Sequence, residues 1–222
     1  MSFISAEKIS KTYTAGHEQV HALAQLTLSI EQGEFAAIIG PSGSGKSTLL
    51  STLGGLQHPT GGRLTVDEID VYSLGSEKRA DFRKEYIGFV FQSFQLIPYL
   101  TVLENVQLPL ATTSLRRSEQ KTMALNILEK VGLEAKANRL SDELSGGEQQ
   151  RAAVARALIN QPPIILADEP TGNLDTTTGE EVMKLLQALH NEGHTVVIVT
   201  HNPENLRFVT RCIKVQDGHV VN

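Results

Sequence analysis

Cysteine is almost absent from the sequence, which contains only Cys212. One cysteine excludes an internal disulfide and a cysteine-rich zinc site, and it is typical of a protein from a reducing compartment. Cys212 itself is predicted to be a small buried side chain in a C-terminal strand.

Long apolar stretches are missing as well. The longest apolar runs have about five residues, as at 35–39, whereas a membrane-spanning helix needs about 20. The N-terminus reaches Glu7 without a basic region followed by a long apolar segment, so it does not resemble a secretory signal. These absences predict a cytoplasmic protein without a membrane span of its own.

An excess of positive charge is the third missing feature. The chain has 20 lysines and arginines against 25 aspartates and glutamates, which gives a net charge of -5. Such a chain offers no basic field to the phosphates of DNA or RNA, so nucleic acid is disfavoured as a partner. A hydrophobic fraction of 40% is ordinary for a globular domain and too high for a disordered chain.

Strand patterns of two kinds are present. Residues 20–30 alternate apolar and polar side chains, which predicts a half-buried, antiparallel strand. The continuous apolar runs at 35–39, 164–167 and 195–200 are typical of buried parallel strands, whose carboxyl ends carry the chemistry. The face of the first strand that is predicted to be buried consists of Val20, Ala22, Ala24, Leu26, Leu28 and Ile30.

Helical patterns lie between these strands. Apolar residues recur with helical spacing from 123 to 131, and Gly132 follows as a stop signal. The sequence Thr178-Gly-Glu-Glu181 is a capping box that predicts the start of another helix, which Gly193 closes.

The alternation of strand and helix predicts a single α/β module of 222 residues. No convincing core strand is present from about 93 to 160, so this stretch is predicted to be a helical insertion. The core would then comprise 1–92 and 161–222, with a mainly parallel sheet and an N-terminal antiparallel β subdomain.

A glycine-rich loop follows the first buried strand and precedes a helix that begins near Lys46. Glycines let backbone N–H groups turn towards phosphate oxygens, and the helix N-terminus adds partial positive charge. Lys46 is predicted to reach the terminal phosphates of a nucleotide, and the Ser47 hydroxyl to bind magnesium. The predicted phosphate-binding residues are Gly40, Pro41, Ser42, Gly43, Ser44, Gly45, Lys46, Ser47 and Thr48.

Two acidic residues, Asp168 and Glu169, follow the apolar run at 164–167. Successive residues at a strand end project in different directions, so the two carboxylates can have different roles. Asp168 is predicted to bind magnesium, and Glu169 to act as general base for a water in line with the terminal phosphate. Without the phosphate loop, the same pair would indicate a solvated turn.

A second anion-binding helix start is predicted about 100 residues after the first. The sequence Leu144-Ser-Gly-Gly-Glu148 precedes a helical pattern, and Ser145 with the N–H groups after it suits a phosphate. This stretch resembles the signature motif of ABC-type ATPases. The order of phosphate loop, Gln92, signature, Asp168-Glu169 and His201 is similar to the whole cassette of that family, over essentially the full chain.

The resemblance implies roles for further residues. Tyr13, which lies 33 residues before Lys46, matches the aromatic residue that stacks on adenine. Gln92 matches the glutamine that touches magnesium and the attacking water, and His201 matches the histidine that contacts the terminal phosphate. The implied catalytic residues are Lys46, Gln92, Glu169 and His201, and the implied magnesium ligands are Ser47, Gln92 and Asp168.

A composite site shared by two chains is also implied. In this family two cassettes dimerise head to tail, so the signature of one chain covers the nucleotide on Lys46 of the other. Asp175 matches the loop that crosses the dimer interface. ATP and Mg²⁺ are the expected cofactors, and a homodimer is the expected ATP-bound state. The signature residues expected to contact ATP are Ser145, Gly146, Gly147 and Glu148.

Three positions depart from the commonest family pattern. Glu148 stands where Gln is more usual, Asn202 where Asp is frequent, and Asn173 where Ala is common. None of these departures removes an expected catalytic group.

Within the family, the stretches 91–98, 100–106 and 167–175 resemble the branch that serves lipoprotein release, macrolide-type export and cell-division signalling. This implies an ATP-hydrolysing subunit that powers a separate transmembrane permease from the cytoplasmic face of the inner membrane. An ATPase of a cell-division or signalling complex that moves no substrate is the alternative. A nucleic-acid ATPase is disfavoured because long heptad helices and zinc-binding cysteines are missing, and a GTPase because an Asn-Lys-x-Asp motif is missing.

The segment 94–105 is the expected surface for holding a permease. It contains Leu96, Ile97, Tyr99 and Leu100, and a protein without a membrane span needs an apolar surface to bind one that has it. Packing inside the helical insertion is the alternative for the same side chains.

Overall fold

The computed structural model describes residues 2–16 and 18–221. Within these residues the chain forms ten strands and six α-helices, and no helix among them is long and apolar enough to cross a membrane. The strands are β1 (Ile4–Ala15), β2 (Glu18–Ile30), β3 (Phe35–Ile39), β4 (Gly61–Val66), β5 (Ile69–Asp70), β6 (Ile87–Phe91), β7 (Ile164–Asp168), β8 (Thr195–Val199), β9 (Arg211–Gln216) and β10 (His219–Val221). The helices are α1 (Lys46–Leu53), α2 (Ser76–Tyr86), α3 (Val102–Gln107), α4 (Arg117–Lys130), α5 (Gly146–Leu158) and α6 (Thr176–Asn191).

The strands form two sheets in the described part of the chain. The first has the order β2-β1-β4-β5 and is antiparallel throughout. The second has the order β10-β9-β3-β8-β7-β6, in which the five strands from β9 to β6 run parallel and β10 returns as a hairpin. The predicted α/β fold, with a mainly parallel sheet and an N-terminal antiparallel sheet, is confirmed.

The inner strands of the parallel sheet are buried because both of their faces are covered. Leu49 and Leu53 of α1 pack with the antiparallel sheet on one face. Met183 and Leu186 of α6 pack on the other face, together with α5. A side chain of this size gains about 1.5–3 kcal/mol when it is fully buried, which explains why these strands carry continuous apolar runs.

The predicted buried face of β2 is correct in its second half and wrong in its first. Leu26 is 1% exposed, but Val20 is 61% exposed and Leu23 takes the buried position at 1%. Gln25 adopts a positive φ of 49°, and the pairing with β1 shifts register on either side of it. A shift by one residue exchanges the two faces of a strand, so the alternation continues on the opposite face before Gln25.

The stretch between β6 and β7 is helical and has its own core. Helices α3, α4 and α5 pack together around Val106, Leu128 and Ala152, all of which are fully buried. The helix predicted from the apolar spacing at 123–131 is α4, and Gly132 follows it with a φ of 72°. The division of the chain at about 93 and 160 stays a prediction.

The predicted start of α6 at a Thr178 capping box is wrong. The helix begins at Thr176 and its N-cap is Asp175, three residues before the predicted cap. The Asp175 carboxylate accepts the Thr178 N–H at 3.0 Å and the Thr178 hydroxyl at 2.6 Å. A charged acceptor at a helix N-terminus is favoured by the helix dipole, which explains why Asp175 caps the helix in place of Thr178.

The prediction of a buried Cys212 is wrong as well. Cys212 lies in β9 as predicted, but its side chain is exposed. The buried positions of β9 are Ile213 and Val215, which pack on the side of the antiparallel sheet. Only one face of this outer strand is covered, so alternate residues of β9 contact solvent.

Candidate active site

The phosphate loop and the predicted residues Gln92, Asp168, Glu169 and His201 lie at one edge of the parallel sheet. Strands β3, β8, β7 and β6 are neighbours and run parallel, so their carboxyl ends lie together. The phosphate loop follows β3, His201 follows β8, Asp168 ends β7 and Gln92 follows β6. In register, Asp168 pairs with a residue directly before Gln92 on one side and with Val199 on the other.

Backbone crowding shapes the phosphate loop. A Cβ atom at Gly40 would lie 2.0 Å from the carbonyl oxygen of Val215, and one at Gly45 would lie 2.1 Å from that of Ala22. The loop is therefore wedged between β9 of one sheet and β2 of the other. Gly45 also has a φ of 97°, a conformation that side chains disfavour.

Lys46 lies folded inside this loop. Its Nζ donates hydrogen bonds to the carbonyl oxygens of Gly40 at 2.9 Å and Pro41 at 2.8 Å, and the residue is 9% exposed. Beside it the Ser44 hydroxyl is buried, with no hydrogen-bond partner in the part of the chain that the structure describes. A buried hydroxyl without a hydrogen-bond partner is costly, and the Ser44 O–H could donate to a phosphate oxygen.

Ser47 and Asp168, the two residues predicted to bind magnesium, are hydrogen-bonded to each other across the site. The Ser47 Oγ donates to Asp168 Oδ1 at 3.0 Å. Burial raises the pKa of Asp168, and the neighbouring charge of Glu169 raises it further, whereas the Ser47 hydrogen bond and the charge of Lys46 oppose the shift. The carboxylate thus lies where a positive partner would be stabilising.

Glu169 and His201 are paired directly. Glu169 Oε1 lies 2.8 Å from His201 Nδ1, and Oε2 accepts the His201 backbone N–H at 3.4 Å. Because a carboxylate only accepts, this contact assigns the proton of a neutral imidazole to Nδ1. Glu169 has a φ of 47°, and its own N–H is bonded to the Val199 carbonyl at 3.0 Å, so the side chain leaves the strand in a different direction from Asp168.

Gln92 is turned towards the loop at 172–175. Its Nε2 donates to Asn173 Oδ1 at 3.3 Å, and Asn173 Nδ2 donates to the Gln92 carbonyl at 3.0 Å. Asn173 did not emerge as a site residue from the sequence, although its departure from the commonest family residue was a signal. Its amide can make both bonds, whereas the alanine common at this position can make neither.

The signature residues form the start of α5. Ser145 is the N-cap, and Glu148 completes a capping box by accepting the Ser145 N–H at 3.0 Å. Glu148 also forms an ion pair with Lys136, and this bond is the main reason why its pKa falls to about 2. None of the hydrogen bonds of 145–148 found in the described residues reaches the phosphate loop.

Two further predicted residues lie on the surface. Tyr13 on β1 is 41% exposed, and the Lys11 Nζ lies 5.1 Å from the centre of its ring. Its cross-strand neighbour Val20 is also exposed, so the two side chains form a small exposed apolar patch on the antiparallel sheet. Asp175, the N-cap of α6, is exposed too, and its hydrogen bonds from Thr178 lower its pKa.

The segment 94–105 is mainly a packed loop. Leu96 packs on the core of the insertion, and the fully buried Asn105 side chain bonds to the backbone of Ile97, Leu100 and Thr101. Tyr99 is the large apolar side chain of this loop that stays open, at 77% exposure. The arrangement favours internal packing for the other apolar residues.

A buried strand followed by a glycine-rich loop around a lysine, with acidic residues at the end of another parallel strand of the same sheet, defines a nucleotide-binding protein of the P-loop class. The sequence model of the ABC transporter family matches residues 23–172. The chain belongs to this family, and it is an ATP-binding cassette that hydrolyses ATP.

Several relatives are similar over the whole chain. The ABC transporter ATP-binding protein YvrO of Bacillus subtilis is 45% identical, with 98% of this chain and 95% of YvrO covered. The macrolide export ATP-binding/permease protein MacB of Shigella flexneri is 44% identical over 98% of this chain, which spans 34% of MacB. A solved dimeric post-hydrolysis structure of the cassette MJ0796 of Methanocaldococcus jannaschii, bound to ADP and Pi, superposes with a TM-score of 0.91 at 46% identity, covering 99% and 97% of the two chains.

Proposed function

We propose that this cassette binds MgATP on the phosphate loop, hydrolyses it as one half of a head-to-tail homodimer, and drives a separate transmembrane permease from the cytoplasmic face of the membrane. The observation that carries the proposal is the junction of Ser47, Asp168 and Glu169 at one sheet edge, directly beside Lys46. Phosphate-binding, metal-binding and proton-accepting groups meet there.

Magnesium fits the residues present. Ser47 and Asp168 offer one hydroxyl and one carboxylate oxygen, the kind of ligand Mg²⁺ prefers, and the ion usually takes its remaining ligands from water and substrate phosphates. In keeping with this, no cluster of three or more His, Cys, Asp or Glu side chains suited to a metal occurs among the residues that the structure describes. When bound, the ion would neutralise charge on the phosphates.

Glu169 is the group that takes the proton of the attacking water. As the water oxygen bonds to the terminal phosphorus and the bond to the bridging oxygen breaks, one proton passes to the Glu169 carboxylate. The Nδ1–H of His201 orients that carboxylate. Lys46 exchanges its bonds to the loop carbonyls for bonds to phosphate oxygens, which are stronger because both partners are charged.

The second half of the site comes from another copy of the chain. Ser145 is exposed at the N-terminus of α5, where N–H groups and the helix dipole suit an anion. Among the described residues, Ser145 makes no hydrogen bond to the phosphate loop of the same chain, which supports a partner's nucleotide as the target. The dimeric state of the 46% identical cassette MJ0796 supports the same arrangement, and we assign the signature to a helical subdomain of about 93–160.

Glu169→Gln tests the proposal directly. The amide keeps the shape of the side chain and cannot accept the proton, so hydrolysis should fall roughly 10²–10⁴-fold while ATP binding is kept. Trapped ATP should hold two chains together, so the variant should sediment as a dimer with ATP and as a monomer without it. Lys46→Ala, which loses the phosphate contact, is the control and should stay monomeric. Near-normal turnover would contradict the base assignment, and sedimentation independent of ATP would contradict the composite site.

A groove of this chain next to Gln92 is suited to docking of the permease. A groove of about 580 Å³ lies between α2, β6 and α5, and its apolar lining includes Leu56, Phe89, Phe91 and Pro109. Arg156 borders the groove and donates to the carbonyls of Phe94 and Gln95, so an occupant would contact the loop that follows Gln92. An apolar helix end of the permease is the occupant we propose.

Leu56→Glu tests this groove. Leu56 is 49% exposed, so a charge there should leave the fold and basal hydrolysis intact while reducing recovery of the protein with permease-containing membranes. Leu115→Glu, at a comparably exposed leucine in another loop, is the matched control. Equal membrane recovery for both variants would place the docking surface elsewhere.

A further inference from the structure

The signature motif packs closely against the segment that leads into α6 of the same chain. A Cβ atom at Gly147 would lie 2.1 Å from Thr178 Cγ2, and one at Gly146 would lie 3.4 Å from Leu174 Cδ2. Gly147 itself is buried. Thr178 of the same chain therefore leaves no room for a side chain at Gly147, whether or not a phosphate is bound.

Thr178 faces two ways. Its methyl group fills the space opposite Gly147, while its hydroxyl donates to Asp175 Oδ2 at 2.6 Å and its N–H to Oδ1 at 3.0 Å. A branched threonine has few χ1 rotamers, so placing the hydroxyl on Asp175 also places the methyl group. The side chain of Thr178 therefore contacts both the Asp175 carboxylate and the backbone of Gly147, and it fixes the distance between them.

A second contact lies one turn further along the same two helices. Arg151 Nη1 lies 3.2 Å from Glu181 Oε2. Arg151 and Gly147 are four residues apart on α5, and Glu181 and Thr178 are three apart on α6, so both contacts belong to one helix–helix face.

We propose that Thr178 is a positioning residue that sets the signature, 145–147, and Asp175 at a fixed spacing within one chain, so that both meet the partner chain together. The inference rests on the dimer of the proposed function. Thr178 does not touch nucleotide in this scheme. It acts through Gly147 on one side and through Asp175 on the other.

Four variants, each made in the Glu169→Gln background that traps the dimer, separate the two contacts of Thr178. Gly147→Ala introduces the clash with the methyl group, and Thr178→Ser removes that methyl group while keeping the hydroxyl. The third variant combines both changes. Thr178→Val keeps the branched shape and removes the hydroxyl bond to Asp175. The measurements are the ATP concentration at half-maximal dimer in sedimentation, and the affinity of the monomer for ATP.

We expect Gly147→Ala to raise the ATP concentration needed for dimerisation at least about tenfold, since overpacking shifts backbone as well as side chains. Adding Thr178→Ser should restore most of this loss, whereas Thr178→Ser alone should raise the midpoint by a smaller factor, about twofold, because the methyl contact that fixes the spacing is lost. Thr178→Val should raise the midpoint about fivefold, because Asp175 loses a hydrogen bond. The affinity of the monomer for ATP should not change in any of them.

The outcomes distinguish this inference from the proposed function. If the Glu169→Gln parent does not dimerise with ATP, the proposed function fails. If the parent dimerises but the double variant is as impaired as Gly147→Ala, the methyl group is not the obstacle and the role of Thr178 is overturned. It is also overturned if Gly147→Ala dimerises like the parent, or if ATP affinity of the monomers falls in parallel, which would indicate general disruption.

Discussion

The two anion-binding motifs of this cassette differ in what surrounds their glycines. At the phosphate loop, a Cβ on Gly40 or Gly45 would meet backbone carbonyl oxygens that belong to two different sheets. At the signature, a Cβ on Gly147 would meet the methyl group of one side chain, and Ser145 before it is exposed. The phosphate loop is thus packed against main chain in the core, whereas the signature lies at the surface and its position depends on a neighbouring side chain.

We therefore expect substitutions in the phosphate loop to lower the stability of the monomer, and substitutions in the signature to weaken dimer formation. A substitution in the phosphate loop has to displace main chain, which interior packing resists. A substitution in the signature has to displace a side chain at the end of a helix. We expect this to reduce the stability of the monomer less than a phosphate-loop substitution does, and to weaken the dimer more. The following predictions test how far that separation holds.

The largest effect is expected at Gly45. Gly45→Ala places a Cβ 2.1 Å from the Ala22 carbonyl at a φ of 97°, so we expect a loss of roughly 2–5 kcal/mol in the free energy of unfolding. Gly43→Ala is the matched control: its φ is 78°, and no described atom lies within 4 Å of the added Cβ. It should lose only about 1–2 kcal/mol, the cost of the left-handed backbone. Urea titrations of both variants measure the difference, and equal losses would show that the carbonyl contact is unimportant.

A smaller effect, on binding alone, is expected at Tyr13. Tyr13→Ala should weaken ATP binding by roughly 1–3 kcal/mol, the value of stacking an aromatic ring on a base. KM should rise while kcat is largely kept, because Tyr13 lies on the antiparallel sheet, whereas Glu169 and His201 follow strands of the parallel sheet. Tyr13→Phe keeps the ring and should bind ATP like the parent chain. Unchanged affinity in the alanine variant would mean that another residue holds the adenine.

The smallest effect is expected at Glu148, and it depends on pH. The folded pKa of this carboxyl is about 2 against an ordinary value of 4.5, so its contribution to stability is complete above pH 4.5 and is lost as the pH falls towards 2. Glu148→Gln should therefore cost at most about 1 kcal/mol near pH 7 and progressively less below pH 4.5.

Lys136→Met removes the same ion pair from the other side and serves as the control for Glu148→Gln. It should reproduce the loss near pH 7. Free energies of unfolding at pH 7, 4 and 3 test this pH dependence, and a difference between variant and parent that grows towards acid would contradict the assignment.

Several features of the fold and the site were predictable because they depend on neighbouring residues in the chain. The phosphate loop between 35–39 and α1, and the acidic pair after 164–167, are patterns of local sequence with a local physical cause. Continuous apolar runs predicted the parallel strands, since only strands covered on both faces carry them. The N-cap of α6 was missed by three residues, because Asp175 competes better than Thr178 for the role of cap.

The sequence by itself determined the class of fold, the order of the motifs and the chemistry that each motif can perform, because spacing and residue type act over a few residues. Tertiary structure alone decided which face of β2 is buried on either side of Gln25, why Cys212 is exposed, that Asn173 bonds to Gln92, and that Gly147 packs on Thr178. Each of these depends on residues far apart in the chain that the packing of sheets and helices brings into contact, and no local pattern encodes such a distance.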